Sequence, residues 1–146
     1  MGVNRADKAA ELFESCNCAQ SVLTAYADMF NLDREKALQV ASGFGGGIGR
    51  LQETCGAVTG AVMVLGLMSG FKEEDGRNGI NMIYEKTRKL TDGFADLKGS
   101  IKCRDLLGCD LLTEEGQKCF REKNLRKECE GYIRLVCELL DEHLEE

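Results

Sequence analysis

Thr54-Cys55-Gly56-Ala57-Val58-Thr59-Gly60-Ala61-Val62-Met63-Val64-Leu65-Gly66-Leu67-Met68-Ser69-Gly70-Phe71 carries no charged side chain. Its length approaches the roughly 20 apolar residues that span a bilayer. Four glycines, Thr59 and Ser69 make it a poor span, and a helix buried in a protein core is the better reading. Gly56 and Gly60, with Ala57 and Ala61, recur at four-residue steps and leave a smooth face that another backbone can approach closely. The stretch therefore predicts a central helix from about Thr54 to Ser69, with other helices laid around it.

The flanking sequence supplies those helices. Leu12, Cys16, Ala19, Leu23, Tyr26 and Phe30 lie on one face of a first helix, with Cys18, Val22, Ala25 and Met29 as a neighbouring stripe. Asp33 caps a second helix through Ala37, Leu38, Val40 and Ala41. A fourth, from Asn78 to Leu97, shows Ile80, Ile83, Thr87, Leu90, Phe94 and Leu97 on one side and ends at Gly99. Ser100 caps a short turn through Leu107, stopped by Gly108, and Thr113 caps a brief helix that includes Cys119. The last helix, from about Asn124, places Leu125, Cys129, Ile133, Val136 and Leu140 at core spacing. The chain has no proline, which suits continuous helix. No alternating strand pattern, repeat or low-complexity linker interrupts it. The expectation is all-α: residues 1–146 as a single-domain helical bundle around the uncharged, glycine-containing helix.

Charge and composition narrow the function. With 146 residues, 43% apolar and 30% charged, the chain can bury a core of its own. A net charge of −6, densest in the tail Asp141-Glu142-His143-Leu144-Glu145-Glu146, argues against a nucleic-acid footprint, which needs a basic stripe. Met1-Gly2-Val3-Asn4-Arg5-Ala6-Asp7-Lys8 has no apolar stretch to act as a signal peptide, so a cytoplasmic protein without a membrane span is expected. His143 reads as solvated, and Glu73-Glu74-Asp75 as acid in a first helical turn.

Eight cysteines against one histidine are then the chemical signal. In a cytosolic chain they point to metal or redox chemistry more than to structural disulfides. Cys55, if Thr54 or a neighbour is the N-cap, lies in the first turn of the central helix, and Cys103 lies in another first turn. A helix N-terminus favours the thiolate, which is both nucleophile and metal ligand. The bland reading is that each packs as a small apolar residue. Cys16 and Cys18, two apart on one helix, point about 200° apart and should not share a metal unless the helix opens there.

These segments resemble the C_GCAxxG_C_C family of bacterial and archaeal proteins. The resemblance rests on Asn17-Cys18-Ala19-Gln20-Ser21-Val22-Leu23, on Ala41-Ser42-Gly43-Phe44-Gly45-Gly46-Gly47-Ile48-Gly49-Arg50 and on Cys55-Gly56-Ala57-Val58-Thr59-Gly60. Further on, Cys103-Arg104-Asp105-Leu106-Leu107-Gly108 and Cys129-Glu130-Gly131-Tyr132-Ile133 match the later cysteine segments. The central motif reads Cys-Gly-Ala where the family label has Gly-Cys-Ala. The resemblance implies redox activity, an iron–sulfur cluster or similar group in some members, and no defined reaction. It also implies that Cys18, Cys55, Cys103 and Cys129 are the characteristic four, leaving Cys16, Cys109, Cys119 and Cys137 as extras, with Cys137 in the core.

The glycine cluster Gly43 to Gly49 is either a tight corner between helices or a cradle in which Gly45, Gly46, Gly47 and Arg50 meet an anion or cofactor. It lacks the dinucleotide pattern, and no Gly-Lys-Ser/Thr follows. Two redox readings stay open for the four cysteines: ligands of an iron–sulfur cluster or other Cys-ligated metal, or dithiol–disulfide pairs serving an unknown redox partner protein. A structural zinc site is a second class, disfavoured because no close Cys pairs are present. A non-catalytic interaction module, forming a homo-oligomer through the small-residue face, is the third.

Overall fold

The computed structural model describes residues 4–144, so Met1 to Val3 and the last two acids of the tail, Glu145 and Glu146, lie outside the described residues. Eight α-helices follow in order: α1 Arg5–Leu12, α2 Cys18–Ala27, α3 Arg34–Ala41, α4 Gly56–Ser69, α5 Gly76–Lys98, α6 Cys103–Leu107, α7 Glu114–Glu122 and α8 Leu125–Leu144. The described residues form no strand; a lone antiparallel bridge joins Thr54 and Lys102. The fold is all-α, as the periodicity predicts.

The uncharged stretch is the inner helix α4, which packs on α2, α5 and α8. Its small-residue face lies against α2. A Cβ on Gly60 would stand 2.9 Å from the Ala19 carbonyl oxygen and 3.0 Å from Val22 Cβ. One on Gly56 would stand 3.1 Å from Cys18 Cβ. That face is consumed inside the fold, so a second copy of the chain cannot use it as proposed for a homo-oligomer. No described helix is long and apolar enough to cross a membrane.

The first predicted helix is in fact two. The chain leaves α1 at Phe13 and restarts at Cys18, with Asn17 as N-cap: its side chain accepts from Gln20 N–H while Gln20 Oε1 accepts from Asn17 N–H. This reciprocal capping box outweighs a continuous helix. Cys16 and Cys18 therefore sit on either side of a break. Asp33 and Thr113 cap α3 and α7 as expected. Lys102, not Ser100, is the N-cap of α6; Ser100 instead accepts from Lys102 N–H and donates to Asp105. Leu97 is 65% exposed, because α5 turns only Leu90 and Phe94 fully inward. His143 is half-buried on the inner side of α8 rather than solvated.

The core is filled by Tyr26, Leu65, Leu90, Phe94, Ile133 and Leu140. Tyr26 spans it and donates to the Cys137 carbonyl (3.1 Å) and Asp141 Oδ1 (2.9 Å), tying α2 to α8. Phe94 and Tyr132 meet edge to face at 5.8 Å. Cys137 is fully buried among them, a packing residue as its spacing predicts.

Candidate functional site

Three of the four characteristic cysteines stand where a helix begins. Cys18 is the first residue of α2, Cys55 is itself the N-cap of α4, and Cys103 is the first residue of α6. Cys129 comes from within α8, one turn after Arg126. All four line one cavity of about 760 Å³, within the range of small-molecule sites. Cys16 is on its wall too, its thiol turned to the Leu12 carbonyl at 3.1 Å.

The glycine cluster holds these starts together. Gly46, Gly47, Ile48, Gly49 and Arg50 all have φ between 55° and 69°, so the chain makes a short left-handed turn. The turn is wedged between two cysteine-bearing helix starts. A Cβ on Gly45 would lie 2.6 Å from Asn17 Cβ, and one on Gly47 would lie 2.7 Å from Cys103 Cβ. Both readings of the cluster meet here: it is a tight corner, and Gly45, Gly46, Gly47 and Arg50 line the cavity.

Gln52 closes the arrangement from behind. It is buried, itself at φ 58°, and its side chain donates to the Cys109 carbonyl (2.7 Å) and accepts from Leu111 N–H (3.0 Å). The same side chain favours the Cys103 thiolate. Cys55 N–H donates to Ile101 and Cys103 N–H to Glu53, each at 2.7 Å, which locks the starts of α4 and α6 side by side.

The thiols differ in their electrostatics. Cys18 and Cys129 share the cavity and shift in opposite directions. The Cys18 S–H, facing Cys129, holds the Cys129 thiol below the usual range, and Arg126 adds to this against burial and Glu128. The same bond, then burial, pushes Cys18 well above the usual range. The pair therefore holds its shared proton on Cys18 and places the charge, when one forms, on Cys129. Burial pushes Cys55 up to about 12, although the first-turn amides of Ala57 and Val58 pull the other way. Burial likewise pushes Cys103 up to about 11.

The other cysteines resolve into roles that spacing did not show. Cys109 and Cys119 interact with each other outside the cavity wall, and that contact raises Cys109. The chain turns at residues 111–113 and lays the first turn of α7 on Asp110, where a Cβ on Gly116 would fall 1.7 Å from the carbonyl oxygen. Among the described residues, no group of three or more Cys, His, Asp or Glu side chains lies close enough to hold a single metal ion.

Residues 16–143 match the family described as "Putative redox-active protein (C_GCAxxG_C_C)". This chain belongs to that family. The C_GCAxxG_C_C match spans the four cavity-lining cysteines Cys18, Cys55, Cys103 and Cys129. The chain is also similar to a protein of Archaeoglobus fulgidus named "Uncharacterized protein", 32% identical over 117 residues, or 74% of this chain and 78% of the relative. No solved structure matches it.

Proposed function

We propose that this C_GCAxxG_C_C protein is redox-active through a Cys18–Cys129 dithiol, with Cys55 and Cys103 in the same cavity. What supports this reading is the placing of Cys18 and Cys129 on one cavity, with Cys129 shifted towards the thiolate and Cys18 towards the thiol, so that one suits a nucleophile and the other a proton donor. Thiol exchange then balances as follows. The Cys129 thiolate attacks one sulfur of a disulfide, forms a mixed disulfide and releases the other sulfur as a thiolate, which Cys18 can protonate. The Cys18 sulfur, now a thiolate, attacks Cys129 Sγ and displaces the second thiolate, which takes a proton from solvent. The protein dithiol is oxidised by two electrons and the incoming disulfide is reduced to two thiols.

A second reading is favoured by the donor set. Four thiols from four elements around one cavity suit a sulfur-ligated iron–sulfur cluster, which when bound supplies one-electron transfer. Cys18, Cys55, Cys103 and Cys129 would hold it. A lone zinc ion fits less well, since it needs its sulfurs about 2.3 Å from one point and no three described side chains converge so closely.

Purification without oxygen, followed by an absorption spectrum and iron and sulfide analysis, separates the two readings. A colourless product that forms a Cys18–Cys129 disulfide in oxidising buffer, mapped by mass spectrometry, supports the dithiol. A brown product with iron and sulfide, lost on Cys-to-Ser change at any of the four, overturns it for the cluster. Neither metal nor a change of thiol oxidation state would remove both.

A further inference from the structure

The cavity wall has a charge opposite to that of the chain. Arg50, Arg121 and Arg126 line it against a single acid, Glu14, in a protein of net charge −6. Arg126 is fixed in place, stacked over the Phe13 ring at 4.2 Å and donating to the Phe13 carbonyl. Arg50 and Arg121 have no acidic partner among the described residues. Nor does any carbonyl among the described residues take up the N–H groups of Gly46 and Gly47, although Gly47 is buried. Gly46 is half-buried and both glycines line the cavity, where an acceptor on a ligand can satisfy the amides. Unpaired guanidinium groups and free amides on one wall form an anion site, with guanidinium suited to carboxylate.

Access sets the size of the ligand. Cys55, Cys103 and Cys129 are each 8% exposed or less and Cys18 is half-buried, so a small disulfide reaches Cys129 more readily than one fixed on the surface of a folded protein. The cavity of about 760 Å³ does admit a small molecule.

We infer that the substrate is a small anionic disulfide, held by its carboxylates on Arg50, Arg121 and the Gly46–Gly47 amides while Cys129 attacks its sulfur. This rests on the dithiol reading above and names its substrate class. The exchange is the two-electron step already balanced, with the anionic disulfide as oxidant.

The test compares three disulfides as oxidants of the reduced protein at low salt: oxidised glutathione (anionic), hydroxyethyl disulfide (neutral) and cystamine (cationic). Relative to the rates of the same compounds with a free small thiol, oxidised glutathione should exceed cystamine by about tenfold or more, and salt should erode the preference. Arg50→Asn with Arg121→Gln should bring that ratio to within about twofold of one, and Arg50→Lys with Arg121→Lys should retain most of it. Asparagine is chosen at position 50 because it tolerates the left-handed backbone there. A ratio near one in the wild type, or one unmoved by the double variant, overturns the inference. Calorimetry with S-methylglutathione, which cannot exchange, separates this from the dithiol reading. Binding that weakens in the double variant, in a protein that reduces no disulfide, keeps the anion site and removes the exchange chemistry. No binding together with no charge preference removes the anion site alone.

Discussion

Cys129 is expected to be the fastest thiol of the cavity to alkylate. Its pH–rate midpoint should lie below the ordinary thiol value of about 8.5, because the Cys18 S–H and Arg126 both favour its charged form. Cys18→Ala should move that midpoint upward, and Cys18→Ser, which still donates, should move it less; iodoacetamide labelling across pH with mass spectrometry reads both. Asn17 is a second residue-scale lever. Besides closing the capping box, it donates to the Ser42 carbonyl at 3.0 Å and meets the glycine turn. Asn17→Ala should cost about 1–2 kcal/mol in denaturant unfolding. The Asn17-to-Gln20 box was legible in the sequence, yet the apolar face from Leu12 to Phe30 concealed it. Phe13 keeps helical angles after α1, so the face continues across the break almost in register. Gln52 gave no sign of itself, since a polar residue beside a glycine run reads as solvated loop until its side chain is seen bonded on both ends.

Among the elements, α4 sorts its glycines by what they face. Gly60→Ala should destabilise by about 1–3 kcal/mol through overpacking, because the new methyl meets α2 backbone. Gly66 has nothing within 4 Å and sits mid-helix, so Gly66→Ala should stabilise by about 0.5–1 kcal/mol. Thermal unfolding of the pair checks both signs in one experiment. The sequence placed α4, α5 and α8 within a few residues, α4 by its lack of charge and α5 and α8 by the spacing of apolar residues such as Leu90, Phe94, Ile133 and Leu140. Helix starts at Cys55 and Cys103 were likewise readable from adjacent glycine and polar residues. The joining of those starts was not. It depends on the left-handed turn at Gly46 to Arg50, where isoleucine and arginine adopt a backbone that residue type alone does not announce.

For the whole molecule, buried thiols make stability fall at alkaline pH. Cys55 and Cys137 are pushed up to about 12 and Cys103 up to about 11, so the folded state keeps protons that the unfolded chain releases from about pH 8.5. The neutral thiols contribute their full stabilisation below that pH and lose it progressively as pH rises towards 11–12, at up to about 1.4 kcal/mol per pH unit for each thiol. Melting temperature should therefore drop above pH 9. Cys137→Ala, although less stable at neutral pH, should show a shallower alkaline slope. That the four cysteines line one cavity was legible through family resemblance, because thiols in four separate elements carry no local spacing rule. The pairing of Cys109 with Cys119 was legible through neither route, as it depends on the turn at residues 111–113 that brings α7 back over Asp110.

The order of the helices has a consequence for biosynthesis. Cys18, Cys55 and Cys103 leave the ribosome one after another with their helix starts, but the nucleophile of the set arrives with α8, the last helix described. A nascent chain therefore exposes thiols that titrate in the ordinary range, from about pH 8.5, because the burial that raises them is not yet in place, and it lacks the proposed Cys18–Cys129 pair. The proposed pair is complete only when α8 docks, so its redox chemistry is tied to the last step of folding among the described helices.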